Sequence, residues 1–293
     1  MLGRRQIREK VVESLYSYYQ NPIRFEMVEK NLFSQINKIY NLYIYTINFM
    51  VGLKSLTEDQ IEIGKNKYIK TDENENPNQK FVRNQILIQL ENNEERRSFT
   101  DKNKYLLWDR NDEILVKTFQ RIKAGKRYQD YMQDEEISFV EDQKFIGKLF
   151  LRYVAENTDL HDRFEEKEMS WADDFHIANS MIQKTIGFMK EDEASHTLIK
   201  MLKDDEDEDF ARKLLRSALN NWEQSEKKLQ ERLVNWELDR ISLIDRIVLI
   251  AAITELDNFP LTASRIIINE YIDISKVYGT EKSHIFINGV LDK

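Results

Sequence analysis

Apolar positions recur at helical spacing along most of the chain, and one stretch departs from that pattern by having no polar side at all. From Ile247 to Ile253 seven consecutive residues are apolar. A helix over Leu243 to Leu256 therefore has no face suited to water and is expected to be surrounded by protein, at the centre of a core. Ser242 followed by Asp245 resembles a capping box at its start, where a hydroxyl can accept from a free amide and an acid is favourable in the first turn. Pro260 marks the turn into a helix whose stripe is Ala263, Ile266, Ile267, Tyr271, Ile274 and Tyr278. Gly279 is predicted to end it in the left-handed conformation. A short final helix carries Ile285, Phe286, Val290 and Leu291.

At the other end, Ile7, Val11, Leu15 and Tyr19 recur every four residues and predict a first helix. Asn21 is predicted to cap a second helix with Pro22 in its first turn, and the stripe Leu32, Ile36, Ile39, Tyr43, Ile47 and Met50 carries it to about Leu56. Tyr40, Tyr43 and Tyr45 read as core and core-edge packing. Periodicity weakens from Thr57 to Pro77, and TDENENPNQ, residues 71–79, reads as a polar loop. Four further helices are predicted, around Val82 to Leu90, Leu115 to Ile122, Ile146 to Tyr153 and Trp171 to Ile182. The run Asp204 to Asp209 (DDEDED) reads as a solvated linker. Beyond it Phe210, Leu214, Ala218 and Trp222 form a stripe at four-residue intervals, continued less regularly by Leu229, Leu233 and Trp236.

Composition narrows this to an all-α protein, because eight glycines and three prolines in 293 residues leave few turns. With 41% hydrophobic residues the chain can bury a core, as one large domain or two smaller ones. The absence of cysteine excludes disulfides, thiolate metal sites and a cysteine nucleophile. The first residues are too polar for a signal peptide, and no apolar run approaches the ~18 residues of a membrane span. A cytoplasmic protein without membrane association is expected. The net charge of −8 is uneven, with the excess acid lying before Phe210, so a local basic patch for RNA remains open.

Arg4, Arg5, Arg8 and Lys10 crowd the first turns of the first helix, where the helix dipole gives cations no benefit. That placement points to an external anion such as phosphate, which guanidinium groups grip well. A frayed, solvated terminus gives the same pattern. A second basic cluster, Lys117, Arg121, Lys123, Lys126 and Arg127, precedes Tyr128 and Tyr131, a mixture of cations and rings used against single strands and equally that of a solvated face beside core tyrosines. His161-Asp162 and Asp173-Asp174 with His176 lack the further ligands a metal site requires; the other two histidines are His196 and His284. No glycine-rich phosphate loop, nucleophile elbow or metalloprotease motif is present, so no catalysis, cofactor or metal is expected, and a binding protein is.

The late module ELDRISLIDRIVLIAAITELDNFPLTASRIIINEYIDISKVYGTEKSHIFINGVLDK resembles the bacterial NusB transcription antitermination family, with its acid-plus-Arg helix, INE helix, YG turn and terminal FxNGVLDK. The opening RRQIREKVVESLYSY is similar to the family's Arg-rich first helix ending in LY. The resemblance covers Arg4 to about Tyr19 and about Phe210 to Lys293. It implies two small helical bundles that bind boxA RNA together with the ribosomal protein NusE, in an antitermination complex with RNA polymerase on ribosomal RNA operons. It also implies roles by motif: Arg4, Arg5, Arg8, Tyr16, Tyr278 and Phe286 at the RNA, and Asp245 facing NusE. Relatives occur as monomers and dimers, so either a monomer or a homodimer is expected.

Three positions depart from the family pattern: Gln6 interrupts the arginine run, Ile250 replaces a common Arg, and Lys282 stands where relatives often carry an acid. Length departs more, since ordinary members are about half this size. The expected organisation is therefore 1–56 as N-terminal NusB-like helices, 57–209 as a helical insertion resembling long forms of Bacteroidetes, and 210–293 as the remaining NusB-like helices. A protein-interaction scaffold, with the insertion docking another partner and little RNA binding, is the alternative.

Overall fold

The computed structural model describes residues 2–69, 71–135, 138–191, 198–202, 205–233 and 237–292; Trp236, His196 and Asp204, singled out above, lie outside them. The fold is all-α, with no strand among the described residues. In chain order the helices are α1 (Arg4–Gln20), α2 (Phe25–Lys65), α3 (Asp72–Glu75), α4 (Gln85–Asn92), α5 (Glu94–Lys102), α6 (Glu113–Ala124), α7 (Lys126–Gln133), α8 (Phe139–Phe150), α9 (Thr158–Lys167), α10 (Trp171–Phe188), α11 (Asp205–Asn220), α12 (Trp222–Arg232), α13 (Leu243–Asn258), α14 (Ser264–Tyr278) and α15 (Ser283–Leu291). The chain divides into two compact units, Met1–Ile36 with Met201–Lys293, and Asn37–Lys200. The division falls within α2 and just before α11, whereas the sequence pattern places its boundaries after residues 56 and 209.

In the first unit α13 is the central element. Every residue from Ile247 to Ile253 is at most 1% exposed, as a helix without a polar stripe requires, and α1, α11, α12, α14 and α15 all pack on it. Ser242 caps it as expected, its hydroxyl accepting from the Asp245 amide at 3.2 Å.

In the second unit α4 and α10 pack on α8, and α9 on α10. Two aromatic clusters fill its interior: Tyr45, Trp108, Phe164 and Trp171, with Tyr45 stacked on Trp108 at 4.5 Å, and Phe81, Phe119, Tyr128, Tyr131 and Phe145. Tyr43 and Tyr45 are buried and Tyr40 packs edge-on against Phe99, which is the packing role expected of them. His161 lies against Phe175, and His176 Nδ1 hydrogen-bonds the Asp173 carbonyl. No three His, Cys, Asp or Glu converge as a metal-binding group among the described residues.

Several local expectations are corrected. Asn21 closes α1, its amide bonded to the Ser17 carbonyl, and Pro22 precedes α2 rather than opening it. α2 does not stop near Leu56 but runs on to Lys65; Thr57 is buried and returns its hydroxyl to the Leu53 carbonyl, so a polar sequence still continues the helix. Instead of four helices, α3 to α10 occupy the middle of the chain, because short helices leave too few turns for a periodic signal. Asp205 to Asp209 are not a linker: they form the first turns of α11, where acids meet the positive end of the helix dipole. The stripe from Phe210 to Trp222 is broken at Asn221, between α11 and α12.

Gly279 is also corrected. It ends α14 with φ −91° and ψ −175°, an extended and not a left-handed conformation. A Cβ there would lie 2.5 Å from the Ser283 Cβ and 2.7 Å from the Ser275 carbonyl oxygen. Close approach of α15 to the end of α14, rather than backbone handedness, is what requires the glycine.

Glu29, at the start of α2, joins the first unit together by accepting from two arginines of α11, Arg212 and Arg216, the latter at 2.7 Å. The Arg216 hydrogen bond, opposed by burial and reinforced by the charge of Arg212, holds the Glu29 carboxyl below its ordinary range. A carboxyl depressed on folding stabilises the fold above its unfolded pKa, and the contribution disappears as pH falls through the folded value. Glu29→Gln should lower stability at pH 7, with the difference from the parent shrinking once pH drops below about 4.5 and vanishing below the folded pKa. Urea denaturation at a series of pH values measures this; a constant difference down to pH 2 would contradict it.

Candidate nucleic-acid interface

The arginine-rich start of α1 lies against α11, α13 and α14, and each arginine meets an internal acid. Arg8 is 2% exposed. Its Nε and Nη2 donate to the two oxygens of Glu255 at 2.8 and 2.5 Å. Glu255 belongs to α13 and is itself fully buried; it accepts a third hydrogen bond from the Tyr271 hydroxyl at 2.9 Å. Burial lowers the Arg8 pKa, but the hydrogen bond and charge of Glu255 outweigh it and the net direction is up. Burial and then the Glu255 charge push the Tyr271 hydroxyl well above its usual range, so it stays a donor. The expectation that Arg8 offers its guanidinium to an external phosphate is thus corrected: Glu255 occupies its donor edge and the protein covers it.

Arg5 points the other way. Its Nε and Nη2 donate to Glu270 at 3.0 and 2.9 Å, and Nη2 lies 2.8 Å from Asp273, both acids on α14. The Glu270 hydrogen bond, against a burial penalty, raises its pKa, yet its side chain remains 42% exposed. Arg4 is 45% exposed, sits 3.7 Å from Asp207 of α11 and has its guanidinium 5.0 Å from the Phe210 ring centre. Surface pairs of this kind are weak, about 0–1 kcal/mol, and can yield to another anion. Two of the three predicted arginines therefore keep an accessible face.

The aromatic candidates come to the same side from the far end of the sequence. Tyr278, at the end of α14, donates to Glu13 of α1 at 2.6 Å. Together with the Arg5–Glu270 pair this sets α1 and α14 running in parallel, eight residues of one beside eight of the other, about 12 Å along the seam. Tyr16 is on the same stripe of α1 as Arg5 and Glu13, one turn further, exposed and accepting from Gln20 at 3.0 Å. Phe286 is half-buried on α15, which packs on α14. Glu9, Glu13, Glu270 and Asp273 line the same seam, so the face mixes charges and is not a plain basic patch. The sequence pattern had no signal for Glu270, which lies 265 residues from the Arg5 it meets.

Asp245 is buried in the first turn of α13, and among the described residues its Oδ1 has no hydrogen-bond partner; neither has Nε of the adjacent Arg246, whose Nη2 pairs with Glu226. An unsatisfied buried carboxylate oxygen is costly.

The second basic cluster lies in the second unit and does not act as one group. Lys117 is paired with Glu113 at 2.5 Å. Arg121, Lys123, Lys126 and Arg127 are exposed and make no ion pair among the described residues; Lys123 bonds Gln60 at 3.1 Å. Tyr131 is buried and stacked on Phe145 at 3.8 Å, so it is a core residue and not a stacking platform.

Removing Arg8 strands a fully buried carboxylate. Arg8→Ala should therefore destabilise the first unit by about 3–5 kcal/mol, whereas Arg5→Ala should cost at most about 1 kcal/mol. Guanidinium denaturation of the two variants measures the contrast, and equal small losses would contradict the buried assignment of Arg8.

Comparison with known proteins gives a consistent picture. The model of the NusB family matches residues 175–293, from within α10 to the end. The chain is 36% identical over 103 residues to the transcription antitermination protein NusB of Salinibacter ruber, a match spanning 34% of this chain and 64% of that protein, just under two thirds of it. It is 33% identical over 93 residues to the NusB of Listeria welshimeri, spanning 32% of this chain and 73% of that one. With the Bacillus mycoides NusB the identity is 36% over 87 residues, 30% of this chain and 67% of the relative. No solved structure matches.

Proposed function

The chain belongs to the NusB family, and from that premise we propose that it is a non-catalytic transcription antitermination factor. In this reading it binds boxA RNA together with ribosomal protein NusE and helps RNA polymerase read through terminators in ribosomal RNA operons, in the cytoplasm. The observation that carries it is the seam of α1 with α14: Arg5 and Tyr16 from the first helix and Tyr278 from near the end of the chain share one accessible face. Half-exposed arginines serve phosphates and accessible rings serve unstacked bases. Arg4 and Phe286 flank that face. Asp245, in the first turn of α13, is the position assigned to NusE, a basic side chain of which would pair with the exposed edge of its carboxylate.

No helix among the described residues is long and apolar enough to cross a membrane. The additional module is placed at 57–209; most of it falls in the compact unit Asn37–Lys200. A deletion designed to remove that module must retain Asp205 to Asp209, because they begin α11 and Asp207 faces Arg4.

One observation favours a second reading, a scaffold with little RNA affinity: the seam arginines already have carboxylate partners, so RNA must displace Glu270 and Asp273 to reach Arg5. Titrating the protein with boxA and scrambled RNA, with and without NusE, separates the two. The antitermination reading expects tighter binding to boxA, strengthened by NusE and falling steeply with salt. Arg5→Ala should reduce the slope of log affinity against log salt by about 0.7, the value for one phosphate contact on a single strand. Equal weak binding to both RNAs would leave the scaffold. Asp245→Asn should weaken NusE binding without affecting RNA binding by the protein alone, measured by calorimetry.

A further inference from the structure

In the second unit a cavity of about 560 Å3 opens between the end of α2, the segment around Asn74 to Asn78, and the corner of α6 with α7. That volume is in the range of pockets that hold small organic ligands, about 300–1,000 Å3. Its lining has a specific chemistry. Five side-chain amides line it, Gln60, Asn74, Asn78, Gln129 and Gln133, alongside the rings of Phe119 and Tyr128, the ammonium of Lys123 and the apolar Ile61, Pro77 and Met132. Among the described residues none that lines it is acidic.

The corner is built to hold this arrangement. Gly125 separates α6 from α7, and a Cβ there would meet the Tyr153 hydroxyl, so a larger residue would have to move that side chain. On α7, Lys126, Gln129 and Gln133 fall at i, i+3 and i+7, one stripe of the helix, and the two glutamines line the cavity. Lys126 does not itself line the cavity but lies on the same stripe, one turn before Gln129. On α6, Phe119 and Lys123 are one turn apart and both line it, with the Lys123 ammonium 4.9 Å from the Phe119 ring centre. Neither lysine has a carboxylate partner among the described residues. The side chains of Asn74, Gln129 and Gln133 make no hydrogen bond there either.

The unengaged amides of Asn74, Gln129 and Gln133 offer donors and acceptors side by side, the pattern presented by a nucleobase edge, and the ammonium groups of Lys123, which hydrogen-bonds the neutral Gln60, and Lys126 suit a phosphate on either side of that base. We propose that this cavity takes one nucleotide of a single-stranded RNA, its base among the amides and the Tyr128 ring and its phosphates on Lys123 and Lys126. Arg121 and Lys117 lie on a different stripe of α6 and take no part. This contact is separate from the α1–α14 face and does not depend on boxA recognition.

The test uses the full chain and a fluorescent oligouridylate of about a dozen nucleotides, long enough to cover a single-strand site. A version containing 4-thiouridine provides photo-crosslinks, and uridine monophosphate serves as the free-nucleotide probe. Crosslinks are expected in the segment 119–133, and they should persist in Arg5→Ala, which separates this site from the first. Lys123→Ala with Lys126→Ala should weaken binding about tenfold at low salt and lower the salt slope by about 1.4, two single-strand phosphate contacts. Gln129→Ala with Gln133→Ala should reduce the crosslink yield while leaving the slope unchanged. All four side chains are exposed, and circular dichroism checks that the variants keep their helices. An unchanged slope with no crosslink in 119–133 would overturn the proposal. So would saturable binding of uridine monophosphate that the oligonucleotide fails to displace, which would make this a free-nucleotide site.

Discussion

A carboxylate sealed inside a protein stays charged only if a cation is sealed in with it, and the first unit is arranged around such a pair. Glu255 has no solvent contact, yet it sits on the central helix α13, whose run Ile247 to Ile253 is wholly apolar. Arg8 satisfies both of its oxygens and Tyr271 adds a third bond. Replacement by apolar residues of similar volume could pack as well, but losing one partner alone cannot. What the pair contributes is geometry: two guanidinium bonds and one hydroxyl bond fix α1, α13 and α14 in a single register, and that register brings Arg5, Tyr16 and Tyr278 to one face.

The arginines at the head of α1 looked misplaced when read along the sequence, since a helix start favours acids. In three dimensions each faces an anion on another helix. The rule about helix dipoles, worth well under a kilocalorie in the first turn of an exposed helix, was overridden by bonds to carboxylates from α11, α13 and α14. Arg4 and Arg5 keep part of their surface; Arg8 does not.

Much of the architecture was legible because it rests on strong local signals. The IVLIAAI run, the Ser242 cap and the stripes of α1, α11 and α14 announce themselves by periodicity and by one capping hydroxyl. The failures have physical causes. Thr57 to Lys65 is polar because that part of α2 is partly exposed, and the weakened stripe hid the helix's continuation past Leu56. The acidic run before Phe210 is favoured at a helix start for the same reason that it suggested solvation. Gly279 carries a steric requirement from Ser283 that no turn rule contains. Of the candidate site, residue types were readable and partners were not: nothing near Arg8 in the sequence points to Glu255, and the amides of Gln60, Asn74 and Gln129 belong to three separate elements.

The pairing of α1 with α13 and α14 also has a consequence for the order in which the chain can fold. Arg8 and Glu255 are 247 positions apart. At a synthesis rate of about 5–20 residues per second, the first helix waits roughly 12–50 s for its buried partner to emerge. The second unit, being continuous from Asn37 to Lys200, has all its residues available well before then. During that interval the apolar stripe Ile7, Val11 and Leu15 has no core to enter, and it is the segment of the nascent chain most in need of a chaperone's cover.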